Sequence, residues 1–340
     1  MTRLLHLGSV VVDLVLNVPY LPERGADVLA AASRASPGGG FNVLAAAARQ
    51  GMRAAYAGAH GTGPFADLAR AGLAAEGIEV LLPPAPGPDT GVVVAIVEAG
   101  GERTFLTAPG AEAALTAADL AAVEPVPGDV AYLSGYSFVH AATRAALLDW
   151  LGRLDSAGTP GRAGTPGRAG TPGRAGTPGR AGTLVVFDPG PLADQIPAAA
   201  LAAVLGRADW LTCNAREAAI LSGQSDPAAA TRALAVGQRG VVVRTGPGGC
   251  LLGHGGSEPV VVPGWAVQAV DTNGAGDTHA GVFIAALARG AAPPEAARLA
   301  NAAAALSVTR PGPATAPTAS ELAGFLASTA SGRPAGGTGR

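Results

Sequence analysis

The sequence predicts an α/β fold in which a doubly wound, mostly parallel sheet is flanked by helices and carries a small antiparallel β lid. Short β-branched or apolar runs alternate with Ala- and Leu-rich helical patterns along most of the 340 residues. Since parallel strands need a crossover connection between them, this alternation is typical of a parallel sheet covered by helices. Two regions break the alternation with strand patterns joined by short turns, which is typical of antiparallel strands.

Short apolar runs are the predicted core strands, at residues 4–7, 54–57, 130–133, 184–187, 210–213, 241–244 and 260–262. Longer segments with helical spacing of apolar residues are the predicted helices, at residues 41–50, 64–76, 141–154, 198–205, 215–221, 278–288 and 294–307. The strands carry β-branched residues and the helices carry many alanines, which are the preferences expected for the two kinds of element.

The predicted lid comes from residues 28–33 and from the pair 91–97 and 103–107. The pair is joined by Ala99-Gly100-Gly101, a glycine-containing turn of the kind that connects hairpin strands. We therefore expect lid strands near residues 10–36 and 88–108, projecting from the core.

The sequence predicts a single domain over residues 1–327, with one insertion and a tail. Residues 158–182 hold four copies of Gly-Thr-Pro-Gly-Arg-Ala, which place glycine at every third position, as collagen does. We interpret them as a flexible surface insertion rather than a triple helix, because loop-closure entropy grows slowly with length. Residues 328–340 are rich in Gly, Pro and Ser and are predicted to be a disordered tail.

Composition argues against several functional classes. Charged residues make up 14% of the chain and the formal net charge is −2, so nothing favours nucleic-acid binding. Cys213 and Cys250 stand far apart, which argues against a disulfide framework and a zinc site. Asp13 interrupts the apolar N-terminal stretch, so we interpret that stretch as a strand rather than a signal peptide. No apolar run is long enough for a membrane span, so a soluble protein is expected. The two isolated cysteines favour a reducing, cytoplasmic compartment.

The most informative segment reads Asp-Thr-Asn-Gly-Ala-Gly-Asp, from Asp271 to Asp277. A strand-like run at 267–270 precedes it and the helical pattern at 278–288 follows it. Glycines at such a turn let backbone N–H groups at the helix start point at an anion, such as a phosphoryl group. Asp277 could take the proton of an attacking hydroxyl group. The competing interpretation is an ordinary capped helix after a glycine-rich turn.

Two N-terminal features could contact a polyol. The segment Pro-Gly-Gly-Gly-Phe-Asn at residues 37–42 ends in Asn42, whose amide offers both a donor and an acceptor to vicinal hydroxyl groups. Asp13 follows the first strand, at the sheet edge where open α/β folds bind ligands. A plain glycine-rich turn and a solvated turn carboxylate are the alternatives.

Two further segments follow predicted strands. Asn214 and Glu217 could organise a hydrated Mg²⁺ ion near a polyphosphate, or could form a helix-capping pair. Thr245 and Gly246 open the segment Thr-Gly-Pro-Gly-Gly, which could face nucleotide phosphates or could form a β-hairpin turn.

Together these segments resemble the ribokinase-like, PfkB-type carbohydrate kinase family. The resemblance runs from about residue 4 to residue 325, apart from the repeat, and the motif at 271–277 is its most specific part. It implies a doubly wound α/β core with a β lid, and transfer of the γ-phosphoryl group of ATP to a sugar or nucleoside hydroxyl group. It also implies ATP and Mg²⁺ as cofactors, with K⁺ as an activating ion.

The resemblance implies a role for each motif. Asp277 is the implied catalytic base, beside an anion hole formed by the backbone of Asn273 and of Gly274, Ala275 and Gly276. The implied sugar contacts are Asp13, Gly39, Gly40 and Asn42. The implied nucleotide contacts are Asn214, Thr245, Gly246 and Asn301, and Asn214 and Glu217 would hold Mg²⁺ through water. The implied monovalent cation site comprises Asp271, Asn273, Ser307, Arg310 and Gly312.

Departures from the family pattern refine the expected function. His279 stands where relatives more often have a bulky apolar residue, and we interpret it as a packed histidine. The segment at 38–40 lacks the lysine of relatives that act on phosphorylated sugars, so an unphosphorylated sugar or sugar acid is favoured. The alternatives are an adenosine-type nucleoside kinase and a non-catalytic sugar- or nucleotide-binding sensor. A homodimer through the lid is also expected, since exposed sheet edges tend to pair.

Overall fold

The computed structural model describes residues 2–156, 182–237 and 239–330. The predicted repeat insertion, apart from Gly182, and the predicted tail beyond residue 330 lie outside these residues. No helix within the described ranges is long and apolar enough to cross a bilayer.

Strands and short connections alternate with helices through the described residues. The strands are β1 Arg3–His6, β2 Val10–Val18, β3 Ala32–Gly39, β4 Arg53–Tyr56, β5 Glu79–Val80, β6 Val92–Glu98, β7 Arg103–Ala108, β8 Val130–Ser134, β9 Leu184–Asp188, β10 Trp210–Asn214, β11 Gly240–Arg244, β12 Gly249–His254 and β13 Val260–Pro263. The helices are α1 Gly40–Arg49, α2 Pro64–Ala75, α3 Ala117–Ala121, α4 Gly135–Val139, α5 Ala141–Ser156, α6 Ala198–Arg207, α7 Ala215–Ser222, α8 Pro227–Leu234, α9 Ala275–Ala288, α10 Pro293–Ser307 and α11 Ala319–Ala330.

The larger sheet has the order β13-β12-β11-β10-β9-β8-β1-β4-β5. Seven strands of this sheet pair in parallel, in the order β11-β10-β9-β8-β1-β4-β5, and β12 and β13 add antiparallel strands at one edge. A hydrophobic core lies on each face, which explains the near-continuous apolar runs of the central strands. This architecture confirms the predicted fold class, and its strand order reverses between β1 and β8, where such folds bind ligands.

The smaller sheet has the order β3-β2-β6-β7 and forms the lid. Its outer pairs are antiparallel and its central pair is parallel. One ion pair ties it to the core: Arg103 on β7 donates a hydrogen bond from Nη2 to Asp271 Oδ1 at 2.6 Å. Asp271 in turn accepts the backbone N–H of Gly312 at 3.0 Å, so one carboxylate joins three segments.

Two predicted strands differ from the structure. Residues 267–270 form no strand, because the N–H groups of Val270 and Asp271 donate instead to the carbonyl of Val308, just after α10. The lid strand predicted at residues 28–33 lies instead at Ala32–Gly39, as β3. It runs through Pro37 and two glycines, which suggested a turn, and proline is tolerated because β3 is an edge strand. In addition, α11 continues to Ala330, beyond the predicted start of the tail.

We predict that Arg103→Gln loosens the lid. Loss of a partly exposed ion pair costs on the order of 1 kcal/mol, so amide hydrogen exchange in β6 and β7 should become roughly fivefold faster. Hydrogen exchange read by mass spectrometry measures this. Arg153→Gln, which removes an exposed ion pair within α5, is the matched control. Equal exchange rates in β6 and β7 for the two variants would contradict the assigned contact.

Candidate functional site

A glycine-bounded helix start forms the centre of the candidate site. Gly274 precedes α9 with φ of 72°, and a Cβ atom there would lie 2.0 Å from the carbonyl oxygen of Pro313, so only glycine fits. The first four N–H groups of any α-helix lack intrahelical partners, and here they belong to residues 274–277. The N–H of Ala275 donates to the carbonyl of Thr272 at 3.4 Å, just before the helix. The structure therefore has the predicted turn, with N–H groups suited to an anion and a carboxylate in the first helical turn.

Close packing of α1 against α9 sets the position of Asp277. Gly281 lies so close to α1 that an added Cβ atom would sit 2.5 Å from the carbonyl oxygen of Val43. This close packing brings the Asn42 side chain to Asp277, and Asn42 donates a hydrogen bond from Nδ2 to Asp277 Oδ2 at 3.0 Å. Burial raises the pKa of Asp277 to about 7, although the hydrogen bond from Asn42 opposes the shift. A carboxyl group with this pKa can accept or release a proton near neutral pH.

The predicted sugar contacts lie on the lid strands β2 and β3 and on α1, the helix that follows β3. Asp13 is on β2, and a Cβ atom at Gly38 would lie 2.2 Å from its carboxylate, so this glycine makes room for Asp13. Burial raises the pKa of Asp13 to about 6, and the positive charge of Arg34 opposes the shift. Gly39 has φ of 61° and caps α1, and Gly40 begins that helix. The glycine-rich segment therefore leads directly from the lid into the helix that holds Asn42.

Asn214 and Glu217 form the reciprocal capping pair that was the competing interpretation of their spacing. The Asn214 N–H donates to Glu217 Oε2 at 2.8 Å, and the Glu217 N–H donates to Asn214 Oδ1 at 2.9 Å. Burial raises the pKa of Glu217, and the nearby carboxylate of Asp188 raises it further. Both Glu217 oxygens already accept hydrogen bonds from Asn214, at 2.7 and 2.8 Å, so contact with a metal ion through water suits Glu217 better than direct coordination.

Asp188 and Arg244 are charged residues of the site that the motifs did not predict. Arg244 donates from Nη1 and Nη2 to Asp188 Oδ2, each at 3.1 Å, and lies 3.7 Å from Glu217 Oε2. Its guanidinium also lies beside Gly276. Their positions in the sequence could have indicated them, because each is the last residue of a buried strand and so lies at the carboxyl edge of the sheet.

Three predicted nucleotide contacts have structural partners in the protein. Thr245 and Gly246 lie in the hairpin between β11 and β12, where the Thr245 hydroxyl donates to the carbonyl of Gly249 at 3.1 Å. Asn301 on α10 is buried and donates from Nδ2 to the carbonyl oxygens of Val262 and Pro263. These contacts hold the nearby strands in place and fit the hairpin interpretation of the Thr-Gly-Pro-Gly-Gly segment.

The two segments of the predicted monovalent cation site lie together. Besides the contact with Gly312, Asp271 accepts the N–H of Asn273 at 2.9 Å. Some of the oxygens in this region already accept hydrogen bonds: the carbonyls of Ser307 and Gly312 accept the hydroxyl of Thr315 at 3.0 and 3.3 Å. The Arg310 side chain points elsewhere and pairs with Glu321 at 2.7 Å.

Two further observations concern metal ions and His279. Among the described residues, no group of three or more His, Cys, Asp or Glu side chains could hold a metal ion. His279 is 2% exposed and stacks on Phe283 with 6.3 Å between ring centroids. Burial lowers the pKa of His279 to about 3, so it is a neutral packed histidine, as the sequence suggested.

Comparison with known sequences identifies relatives over nearly the whole chain. The sequence pattern described as pfkB family carbohydrate kinase matches residues 1–160 and 179–319. A protein of Escherichia coli strain K12 described as uncharacterized sugar kinase YegV is 30% identical over 322 residues, covering 93% of this chain and 91% of that protein. An ATP-dependent ribose-1-phosphate kinase from Halopiger xanaduensis is 32% identical over 334 residues, covering 96% and 98%.

Solved structures share the architecture. The crystal structure of ribokinase from Thermotoga maritima has a TM-score of 0.74 and 26% identity, covering 96% of this chain and 100% of that chain. A putative ribokinase II from E. coli, in complex with ATP and Mg²⁺, has a TM-score of 0.76 and 22% identity, covering 96% and 99%. The chain therefore has the fold of these kinases.

We predict that Asp277→Asn stabilises the protein at alkaline pH. An unfolded aspartate loses its proton near pH 4, whereas Asp277 in the folded protein keeps it until about pH 7. The free energy of unfolding therefore falls as pH rises through this window, and the penalty is complete above pH 7. Asparagine carries no charge, so the variant should melt at a higher temperature than the parent at pH 8 and at a similar temperature near pH 4.

Thermal unfolding across this pH range measures the effect. Asp149→Asn, at an exposed helix position, is the matched control and should gain nothing at pH 8. If the melting temperatures of the parent and of Asp277→Asn differ by the same amount at pH 4 and at pH 8, the carboxyl group has an ordinary pKa.

Proposed function

The chain belongs to the pfkB family of carbohydrate kinases, and on that premise we propose that it transfers the γ-phosphoryl group of ATP to a hydroxyl group of an unphosphorylated sugar or sugar acid. The observation that carries this proposal is the position of Asp277. It lies in the first turn of α9, next to the N–H groups of Gly276 and Ala275, and Asn42 holds its carboxylate. A base therefore adjoins an anion-binding helix start, which is the pair of groups that phosphoryl transfer requires.

In the proposed reaction, Asp277 accepts the proton of the sugar hydroxyl group as that oxygen attacks the γ-phosphorus of ATP. The new bond joins the sugar oxygen to phosphorus, and the bond between phosphorus and the ADP oxygen breaks. With a pKa of about 7, the carboxyl group is substantially ionised at physiological pH and still basic enough to take a proton. The hydrogen bond from Asn42 orients the carboxylate for this step.

The helix start has an electrostatic role in this proposal. The N–H groups of residues 274–276 stabilise the negative charge of the migrating phosphoryl group, since they are fixed in place before the reaction. Asp13 and Asn42, with the backbone of Gly39 and Gly40, would hold the sugar hydroxyl groups. The residues that would lie along the nucleotide are Asn214, Thr245, Gly246 and Asn301. The capping pair of Asn214 and Glu217 fixes the start of α7.

Mg²⁺ bound to the ATP phosphates would neutralise charge and align the γ-phosphoryl group. Asn214 and Glu217 would act on this ion through water, because both Glu217 oxygens already accept hydrogen bonds from Asn214. A monovalent cation such as K⁺ would bind backbone oxygens of Asp271, Asn273, Ser307, Arg310 and Gly312.

The lid has a physical reason to be part of such an enzyme. Water that reaches the γ-phosphorus would hydrolyse ATP without phosphorylating the sugar, so the site must close around its acceptor. The Arg103 ion pair with Asp271 links the lid to the loop that leads into α9. The homodimer through the lid and the cytoplasmic location stay predictions.

We predict that Asp277→Asn lowers kcat by at least ~10²-fold while the affinity for the sugar changes little, because the base is lost and the shape is kept. A coupled assay of ADP release measures kcat, and calorimetry measures sugar binding. Asp149→Asn again provides the control with an exposed carboxylate. Turnover within a few-fold of the parent would refute the assigned base.

A panel of acceptors identifies the substrate. We expect phosphorylation of one among ribose, a ketohexose and a keto-deoxy sugar acid, in preference to a nucleoside, and a higher rate with K⁺ than without it. Ribose 1-phosphate belongs in the panel because one relative is a kinase of that sugar phosphate. Preference for a nucleoside would favour the nucleoside kinase alternative. Ligand binding without ADP release for every acceptor would favour a sensor.

A further inference from the structure

Arg244 lies between two carboxylates and the helix start of the candidate site. On one side its Nη1 and Nη2 atoms contact Asp188 Oδ2 at 3.1 Å, with Glu217 Oε2 at 3.7 Å. On the other side, a Cβ atom added to Gly276 would lie 3.5 Å from Arg244 Nε and 3.6 Å from Cζ and Nη2. The guanidinium therefore packs against the residue at the centre of the anion-binding turn.

The surrounding contacts hold this guanidinium in a fixed orientation. Asp188 is itself anchored, because Thr212 donates its hydroxyl to Asp188 Oδ2 at 2.9 Å and the N–H of Gly190 donates to Asp188 Oδ1 at 3.0 Å. The Arg244 side chain is nevertheless 15% exposed, so it is not sealed inside the core. A side chain held this way can interact with a ligand at Gly276 with little further loss of conformational entropy.

The charge of Arg244 suits a reacting phosphoryl group. During phosphoryl transfer, negative charge spreads over the three equatorial oxygens of the migrating group, and a guanidinium offers several N–H donors in one plane. The backbone of the helix start supplies only partial positive charges. A full positive charge beside Gly276 would add to these partial charges. In a closed site from which water is excluded, such charges interact strongly.

We propose that Arg244 is a catalytic residue that contacts the migrating phosphoryl group and stabilises it in the transition state. This rests on the proposed kinase function. Arg244 exchanges no proton in the reaction: the proton of the sugar hydroxyl group goes to Asp277, and ADP leaves with the electron pair of the broken bond. The competing role is structural, in which Arg244 only neutralises Asp188 and Glu217.

A transition-state analogue separates the two roles. ADP with aluminium fluoride and the sugar imitates the migrating phosphoryl group, whereas ADP alone does not. Arg244→Gln should weaken binding of the ADP–aluminium fluoride complex by ~10²-fold or more, lower kcat by a similar factor and change the Kd of ADP by less than about threefold. A structural role predicts instead that both ligands weaken equally, or that neither does.

Further variants guard against loss of folding. Arg244→Lys keeps the positive charge and loses the planar fork, so we expect an intermediate loss of analogue binding. The double variant Asp188→Asn with Arg244→Gln leaves fewer unpaired charges and should show the same selective loss as Arg244→Gln. Arg232→Gln, which removes an exposed ion pair with Glu258, is the control and should bind both ligands as the parent does.

The outcomes distinguish this proposal from the function on which it rests. If the parent protein phosphorylates a sugar and binds the analogue, but Arg244→Gln and Arg244→Lys keep the parent's ratio of analogue affinity to ADP affinity, then only the role of Arg244 is overturned. If the parent neither phosphorylates any acceptor nor binds the analogue, the kinase function fails and the role of Arg244 fails with it.

Discussion

The close approach of α1 and α9 is the constraint on which the candidate site depends. Gly281 lets the two helices meet near Val43, and one turn earlier the same packing brings the Asn42 amide to the Asp277 carboxylate. A larger residue at 281 would force the helices apart and lengthen this hydrogen bond. The apolar character of α9, which is buried through most of its length, is therefore what fixes a polar group at its half-buried start.

The charges around the site follow from the direction of the sheet. Parallel strands end at one edge, and β9 and β11 end in Asp188 and Arg244, so opposite charges meet there without any motif in the sequence. Burial is the main reason that the pKa of Asp277 is high, and the negative charges of Asp188 and Asp13 raise it further. Arg244 balances part of this charge, so the site remains compatible with an anionic nucleotide.

Much of the fold could be predicted from the sequence because each local signal agreed with the architecture. Apolar runs separated by helical patterns gave the parallel sheet, and the motif at 271–277 gave the start of α9 within a few residues. The signals failed where a partner outside the segment decided the structure. Residues 267–270 look like a strand, but their N–H groups pair with the end of α10.

The candidate site could be predicted only in part, because contacts between distant segments decide which of its residues come together. Asp277, Asn42 and Asp13 belong to recognisable segments, whereas Asp188, Arg244 and Arg103 are single charged residues whose importance comes from contacts between distant parts of the chain. Sequence spacing alone also left the capping and metal interpretations of Asn214 and Glu217 open. Their reciprocal hydrogen bonds establish the capping pair.

The pH dependence of kcat/KM tests the central claim most directly, since it reports the ionisation of the free enzyme. The account predicts that kcat/KM for the sugar rises with pH and levels off above an apparent pKa near 7. Asn42→Ala should move this limb to higher pH, because a hydrogen bond that favours the charged carboxylate is lost. A profile that is flat between pH 5 and 8 in both proteins would contradict the assignment of Asp277 as the base.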